Sequence, residues 1–155
     1  MSGDNTWAAL ETAADQVARD MKPQEVANLV WGYATLGRMP GDSTWAALEA
    51  AAGRVARDMN PQEMASMLFG YATLSVLQDV DQSSIYAVAW NLVCGLEVRD
   101  FNQEQLRILF HAHLMHRFLG FLRLLTVTYP AWLMKEARDA WMHNVQNHTT
   151  VSRAH

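Results

Sequence analysis

The amino-acid sequence predicts an all-α protein, an α-solenoid built from stacked antiparallel helix pairs that repeat every 38 residues. Residues 1–38 and 39–76 align without a gap and are identical at 25 of 38 positions. Alanine, leucine, methionine, glutamine and arginine fill long stretches in which β-branched runs are scarce, which favours helix. A single helix pair cannot bury both of its faces, so we expect such units to stack on one another.

Each of the first two units, 1–38 and 39–76, contains two predicted helices. From Trp45 onward the apolar residues step by three or four, which is the spacing of one helix face. Asn60 then stands where an N-cap is preferred, Pro61 suits the first helical position, and Glu63 completes a capping box. Lys22 replaces this asparagine in the first unit, so we expect a weaker cap there. The inward face of the second helix is predicted to comprise Met64, Met67, Leu68 and Tyr71.

The rest of the chain departs from the repeat. Residues 79–118 form a divergent third unit, whose helix junction at 100–105 resembles that of the second unit at an offset of 42. An irregular connector is expected at 119–129, then a C-terminal helix at 130–147 that Pro130 opens, and a tail at 148–155 without periodicity. Met1 aligns with Met39, so we expect a fragment of a longer array.

Composition limits the functions open to this chain. The net charge is −4, with 5 basic against 9 acidic residues in 1–78 and 7 against 7 in 79–155. Because nucleic-acid binders usually carry a basic face, this balance argues mildly against strong phosphate binding. Cys94 is the only cysteine, which excludes an internal disulfide and a cysteine zinc cluster, and its apolar neighbours predict a buried thiol. The most apolar run, 118–127, is too short to span a bilayer, so no membrane partner is expected.

The repeat motifs resemble a known family. The segment Asn-Pro-Gln-Glu, followed by an apolar stretch that ends Gly-Tyr-Ala-Thr-Leu, is similar to the octotricopeptide repeats of algal and protist organelle proteins. Residues 31–37 carry this most clearly and 69–74 are the second copy, with Ser75 where glycine is usual. Residues 130–141 and 151–155 are similar to the segment that leads into a RAP domain, found in FAST-kinase-like relatives, and that domain is expected to be missing.

The resemblance implies a function that composition and periodicity do not. Octotricopeptide-repeat proteins bind RNA, so this chain is expected to act in RNA processing, stability or translation. The location expected from the family is the chloroplast or the mitochondrion, although no targeting peptide is expected in this chain. The family resemblance implies an RNA-binding module rather than an enzyme.

Candidate RNA-binding residues are polar side chains on one face of the second helix of each unit. Helical repeats that recognise single-stranded RNA use two or three side chains per unit. These candidates are Gln24, Asn28 and Thr35 in the first unit and Gln62, Ser66 and Thr73 in the second. Asn28 and Ser66 differ between the units, as a base code requires, whereas Ile108 takes this place in the third unit. The alternative is an ordinary solvated helix face.

Cationic and aromatic side chains offer further contacts. Lys22, Arg54 and Arg107 are candidates for phosphate binding, the alternative for such cations being ion pairs with nearby carboxylates. Aromatic rings can stack on bases, but at helical spacing beside alanine and leucine they favour core packing. The rings in question within the second helices are Trp31, Tyr33, Phe69 and Tyr71.

No catalytic residue, cofactor site or metal site is predicted. His113 and His116 share a helix face, but His111 points elsewhere and no cysteine or carboxylate cluster completes a metal site. Phosphate loops, dinucleotide fingerprints and nucleophile motifs do not occur in the sequence. Single-stranded RNA is therefore the expected partner. The alternatives are a scaffold for protein partners, self-association through uncapped repeat ends, and a fragment that does not function alone.

Overall fold

A computed structural model of the chain describes residues 20–77, 84–118 and 126–154, and the first helix expected in the first unit lies outside these ranges. The described residues form six α-helices without a strand, which confirms the all-α prediction for this part of the chain. They are α1 (Pro23–Leu36), α2 (Asp42–Val55), α3 (Pro61–Leu77), α4 (Ser84–Cys94), α5 (Gln103–Phe118) and α6 (Glu136–Ala154). Short 3₁₀ turns occupy Ala56–Asp58, Val98–Asp100 and Ala131–Met134.

Reciprocal capping boxes start α3 and α5. The Glu63 N–H donates to the Asn60 Oδ1 at 2.8 Å, and the Asn60 N–H donates to the Glu63 Oε1 at 2.9 Å. Asn102 and Gln105 exchange the equivalent two bonds, at 2.8 Å and 2.9 Å. Each box satisfies two of the N–H groups that a helix start leaves without intrahelical partners. The junction at 100–105 is therefore a true repeat of the junction in the second unit.

The start of α1 has only half of this box. The Lys22 N–H donates to the Glu25 Oε1 at 3.0 Å, but a lysine side chain has no acceptor with which to return the bond. We therefore expect Lys22→Asn to stabilise the fold by about 1 kcal/mol and Asn60→Ala to destabilise it by about as much. Urea unfolding followed by circular dichroism measures both changes. A Lys22→Asn variant no more stable than the parent would contradict this account of α1.

The helices α1 and α3 end differently because one residue differs between the two units. Gly37 has φ 64° and ψ 33°, a left-handed conformation in which its N–H bonds to the Ala34 carbonyl at 3.1 Å, so α1 stops there. Ser75 occupies the matching position in α3, where its hydroxyl donates to the Ala72 carbonyl at 2.7 Å. Without glycine, α3 continues past Leu74, which matches the last residue of α1 at Leu36, and ends at Leu77.

Four helices, α1, α3, α5 and α6, lie side by side in a row, each packed on the next. Ring contacts show their direction. Trp31 contacts Phe69 at 5.2 Å between ring centroids, and Phe69 contacts His111 at 5.2 Å. Phe110 contacts Trp141 at 5.7 Å. A second contact in each pair fixes the direction: Gln24 and Gln62 near the starts of α1 and α3 line one cleft, the Thr73 hydroxyl lies 3.9 Å from the Met115 Sδ, and the Phe101 and Trp132 rings lie 5.4 Å apart. Because the offset between contacting residues stays constant along each pair, the row is parallel, and equivalent positions of successive units become neighbours.

The helices α2 and α4 pack against one face of this row and complete the core. The Trp45 ring lies 5.0 Å from that of Tyr71, and the Tyr86 hydroxyl donates to the Ala112 carbonyl at 3.4 Å. The predicted inward face of α3 is confirmed, because Met64, Met67, Leu68 and Tyr71 are all buried. Trp90, Leu48 and Leu109 are also fully buried. No helix in the described ranges is both long and apolar enough to cross a bilayer.

The C-terminal part differs from the predicted boundaries. Residues 126–130 have no regular structure, a 3₁₀ turn follows Pro130, and α6 starts only at Glu136. From there α6 runs to Ala154, so the segment expected as a tail from 148 is helical as far as 154. Within the divergent third unit, α4 ends at Cys94, and Gly95 follows it. The connector residues 119–125 lie outside the described part of the chain.

Candidate functional site

A groove of about 330 Å³ crosses the exposed face of α1, α3 and α5. Because these helices are parallel and in register, Asn28, Ser66 and Ile108 lie in a line across it. The groove is lined by Asn28, Trp31, Gln62, Ala65, Ser66, Asn102, Glu104, Gln105 and Ile108. The structure therefore brings the variable position of all three units into one surface depression.

A smaller cleft of about 170 Å³ adjoins the groove near the N-terminal ends of α1 and α3. It is lined by Gln24, Ala27, Asn28, Asn60, Gln62, Glu63 and Ser66. Asn28, Gln62 and Ser66 line both hollows. Four of the six polar residues predicted on this face are thus brought together, and they supply amide and hydroxyl groups that can donate and accept hydrogen bonds.

The two predicted threonines do not join this site. Thr35 and Thr73 lie seven positions beyond Asn28 and Ser66, which is about two helical turns or 10 Å along the helix axis. The Thr35 hydroxyl donates to the Trp31 carbonyl at 2.9 Å, and that of Thr73 donates to the Phe69 carbonyl at 2.8 Å. Their hydroxyl protons are therefore used within their own helices.

The predicted phosphate-binding cations Lys22, Arg54 and Arg107 do not line the groove. Lys22 is exposed just before α1. The Arg54 Nη2 donates to the Met21 carbonyl at 3.2 Å, so this side chain ties α2 to the start of α1. The Arg107 Nη2 lies 3.8 Å from the Glu104 Oε1, a loose pair on the surface of α5. The structure therefore places none of the three among the lining side chains of the groove.

Within the described residues, the charged groups that line the two hollows are carboxylates, from Glu63 and Glu104. Glu63 is committed to its capping box, but the Glu104 side chain is 71% exposed. The N-terminal, positive ends of the α1, α3 and α5 dipoles lie near Glu63 and Glu104, and they partly offset these two negative charges. The groove is therefore polar and weakly acidic rather than basic.

Trp31 departs from the expectation of core packing. Tyr33 and Tyr71 are buried as predicted, but Trp31 is 37% exposed and lines the groove, and Phe69 is only half-buried beside it. The sequence contains a signal for this position, since Trp31 follows Asn28 by three residues and so shares the polar face. Sequence reasoning also missed the three groove residues at the start of α5, which are the capping residue Asn102 with Glu104 and Gln105.

The histidines of α5 separate into two environments. His111 is exposed against Phe69, whereas His113 and His116 are buried and pack on Tyr129. The Tyr129 hydroxyl and the His116 Nδ1 form a hydrogen bond. Burial, together with the nearby charges of Arg117 and His116, lowers the pKa of His113 to about 4. Nowhere in the described ranges do three histidine, cysteine, aspartate or glutamate side chains converge as metal ligands.

The prediction of a buried Cys94 is wrong. The residue is exposed at the end of α4, where its thiol donates to the Thr128 carbonyl at 3.4 Å. Partial desolvation raises the pKa of this thiol, so its thiolate form is disfavoured. The apolar neighbours of Cys94 face the core, while Cys94 lies on the other side of the helix.

Comparisons of the chain with protein-family models, curated proteins and solved structures find no match. The resemblance to octotricopeptide repeats thus depends on the motifs at 31–37 and 69–74.

Proposed function

We propose that this chain is a segment of α-solenoid that binds single-stranded RNA along the groove of α1, α3 and α5. One observation carries the proposal. Gln24, Asn28, Gln62 and Ser66 line adjoining hollows beside the exposed indole of Trp31. Amides and hydroxyls bond to the edges of unpaired bases, and an exposed aromatic ring offers a stacking surface.

The packing of the helices supports the solenoid part of this proposal. The second helices of three successive units stack in a parallel row, and α2 and α4 return the chain on the other side. Each unit then contacts its neighbours in sequence, as in known helical arrays. The similarity to octotricopeptide repeats supports a role in organelle RNA processing, stability or translation, in a chloroplast or mitochondrion. Nothing in this proposal requires a catalytic step.

The differences between units support one base contact per unit. Asn28 offers both a donor and an acceptor, and Ser66 offers a hydroxyl, so the two positions favour different base edges. Ile108, at the equivalent place in α5, has no hydrogen-bonding group and supplies apolar contact instead. The first two units would then provide the sequence selectivity.

The test is selection from a random single-stranded RNA pool by the intact chain, with salt titrated and a DNA pool of the same design as a control. We expect salt-sensitive enrichment of a short motif, and Asn28→Ala should weaken binding to it about tenfold, the value of one good base contact. The matched control is Asn91→Ala, an exposed asparagine of α4 away from the groove, which should leave binding unchanged. Equal loss in both variants would contradict the proposed role of Asn28.

A second candidate function is docking of a basic protein segment. The observation that favours it is charge, since Glu63 and Glu104 line the hollows and the chain carries a net charge of −4. Complementary charge would attract a lysine- or arginine-rich peptide. A folded chain that captures such peptides but enriches no RNA would favour this function over RNA binding.

A further inference from the structure

The size of the groove limits what it can hold. About 330 Å³ lies at the lower end of the volumes of small-molecule sites, roughly 300–1,000 Å³, so the groove accommodates one planar group rather than a length of strand. Adjacent packed helices lie about 8–10 Å apart, whereas stacked bases lie about 3.4 Å apart. A strand that follows the row with one base per unit must therefore unstack its bases, and each unstacked base needs another surface to stack on.

Trp31 provides such a surface. Its indole is 37% exposed, and its ring contacts Phe69 at 5.2 Å, while Phe69 is braced in turn by the edge of His111 at 5.2 Å. This support orients the indole before any ligand arrives. Ile108 on α5 is the other large apolar side chain that lines the groove. Because α1 and α5 flank α3, the two side chains lie on opposite walls.

Glu104 determines which edge of a base suits this groove. A carboxylate only accepts hydrogen bonds. Among the residues that the structure describes, Glu104 is held by a single loose pair, at 3.8 Å from the Arg107 Nη2. It lies one helical turn before Ile108 and lines the same groove as Trp31, so the edge of a base that stacks on the indole and extends across the groove meets it. Adenine and cytosine present exocyclic amino groups that donate to a carboxylate, whereas uracil presents carbonyl oxygens at the equivalent positions, which a carboxylate repels.

We propose that the groove holds one unstacked nucleobase against the Trp31 indole and that Glu104 selects bases bearing an exocyclic amino group over uracil. This assignment deepens the proposed RNA binding and rests on it. Stacking provides affinity for any base, and the carboxylate provides the preference. The amides of Asn28 and Gln62 lie on the same lining and complete the polar rim.

The stacking half of the proposal is tested by fluorescence anisotropy with labelled oligo(A), oligo(C) and oligo(U), each about eight nucleotides long. Trp31→Ala is expected to weaken binding of all three roughly tenfold, the amount that one stacked base contributes. Trp31→Phe keeps an aromatic face and should retain most of the affinity. The matched control is Met142→Ala on α6, which removes an exposed apolar side chain away from the groove and should change nothing.

The selectivity half is tested with Glu104→Gln in the same assay. The parent chain should bind oligo(A) and oligo(C) about tenfold more tightly than oligo(U), and Glu104→Gln should strengthen oligo(U) binding and remove most of the preference. Asp139→Asn on α6 changes the net charge equally and should keep the preference. If the oligonucleotides bind but Trp31→Ala and Glu104→Gln both match their controls, the pocket assignment is overturned while RNA binding stands. If a folded chain binds none of them, RNA binding itself is overturned.

Discussion

Gly70→Ala is expected to destabilise the protein by about 1–3 kcal/mol, whereas Gly32→Ala, the same change one unit earlier, is expected to be neutral or slightly stabilising. A Cβ at Gly70 would lie 2.7 Å from the Val30 Cγ1 and 3.3 Å from the Val30 carbonyl carbon and oxygen. Val30 is fully buried and β-branched, so it has little freedom to move aside. At Gly32 no described atom lies within 4 Å, so alanine there gains about 0.5–1 kcal/mol in helix propensity.

Urea unfolding of the two variants measures this difference directly. Val30→Ala removes the closest atom, so we expect the double variant with Gly70→Ala to be less destabilised than the sum of the single changes. This cycle separates a local clash from a general loss of stability. If Gly70→Ala and Gly32→Ala changed the free energy of unfolding equally, α1 and α3 would not pack as closely as described. The placement of Asn28 beside Ser66 would then also be wrong.

Acidification is expected to destabilise the protein between about pH 6.5 and pH 4 because of His113. Burial, and after it the charges of Arg117 and His116, lowers the pKa of this imidazole from 6.5 to about 4. Its Nδ1 has no hydrogen-bond partner within the described structure. The unfolded chain therefore takes up this proton at a higher pH than the folded chain does. The contribution to stability is complete above pH 6.5 and is lost as the pH falls toward 4, with a slope of up to about 1.4 kcal/mol per pH unit.

The decisive variant is His113→Leu, which removes the titrating group and keeps an apolar side chain in the buried site. The free energy of unfolding, measured by urea titration at several pH values, should fall less steeply between pH 6.5 and 4 than in the parent. His116, Arg117 and Tyr129 surround the same position and remain in place. His143→Gln on α6 alters an exposed histidine and should retain the parental slope. An unchanged slope in His113→Leu would assign the acid sensitivity to other groups.

Local features of the fold were predictable because they depend on residues close together in the chain. A capping box joins positions three apart, so Asn60 with Glu63 could be identified directly. A glycine at a helix end likewise acts through its own φ angle, as Gly37 does. The groove residues Asn28 and Ser66 were also accessible, because a gapless repeat assigns equivalent positions before any contact is known.

Other features depended on elements distant in sequence. Arg54 bonds to a carbonyl 33 residues away, a contact between α2 and the start of α1 that no local pattern indicates. Cys94 is exposed at the end of α4, and its thiol bonds to the Thr128 carbonyl 34 residues away, which no local pattern indicates. Trp31 looked like a core residue from its aromatic character. Its ring is exposed because no described side chain packs over this edge of the α1–α3 contact.

Sequence alone was thus sufficient to establish helical class, repeat length, the starts of α3 and α5, and the polar face that includes Asn28 and Ser66. These properties follow from backbone hydrogen bonding and helical periodicity, which act over a few residues. The joining of three units into one groove, with Trp31 exposed and Glu104 on its lining, required the packed row of parallel helices. Side chains separated by 38 or 42 positions become neighbours only when burial of the opposite helix faces draws the units together.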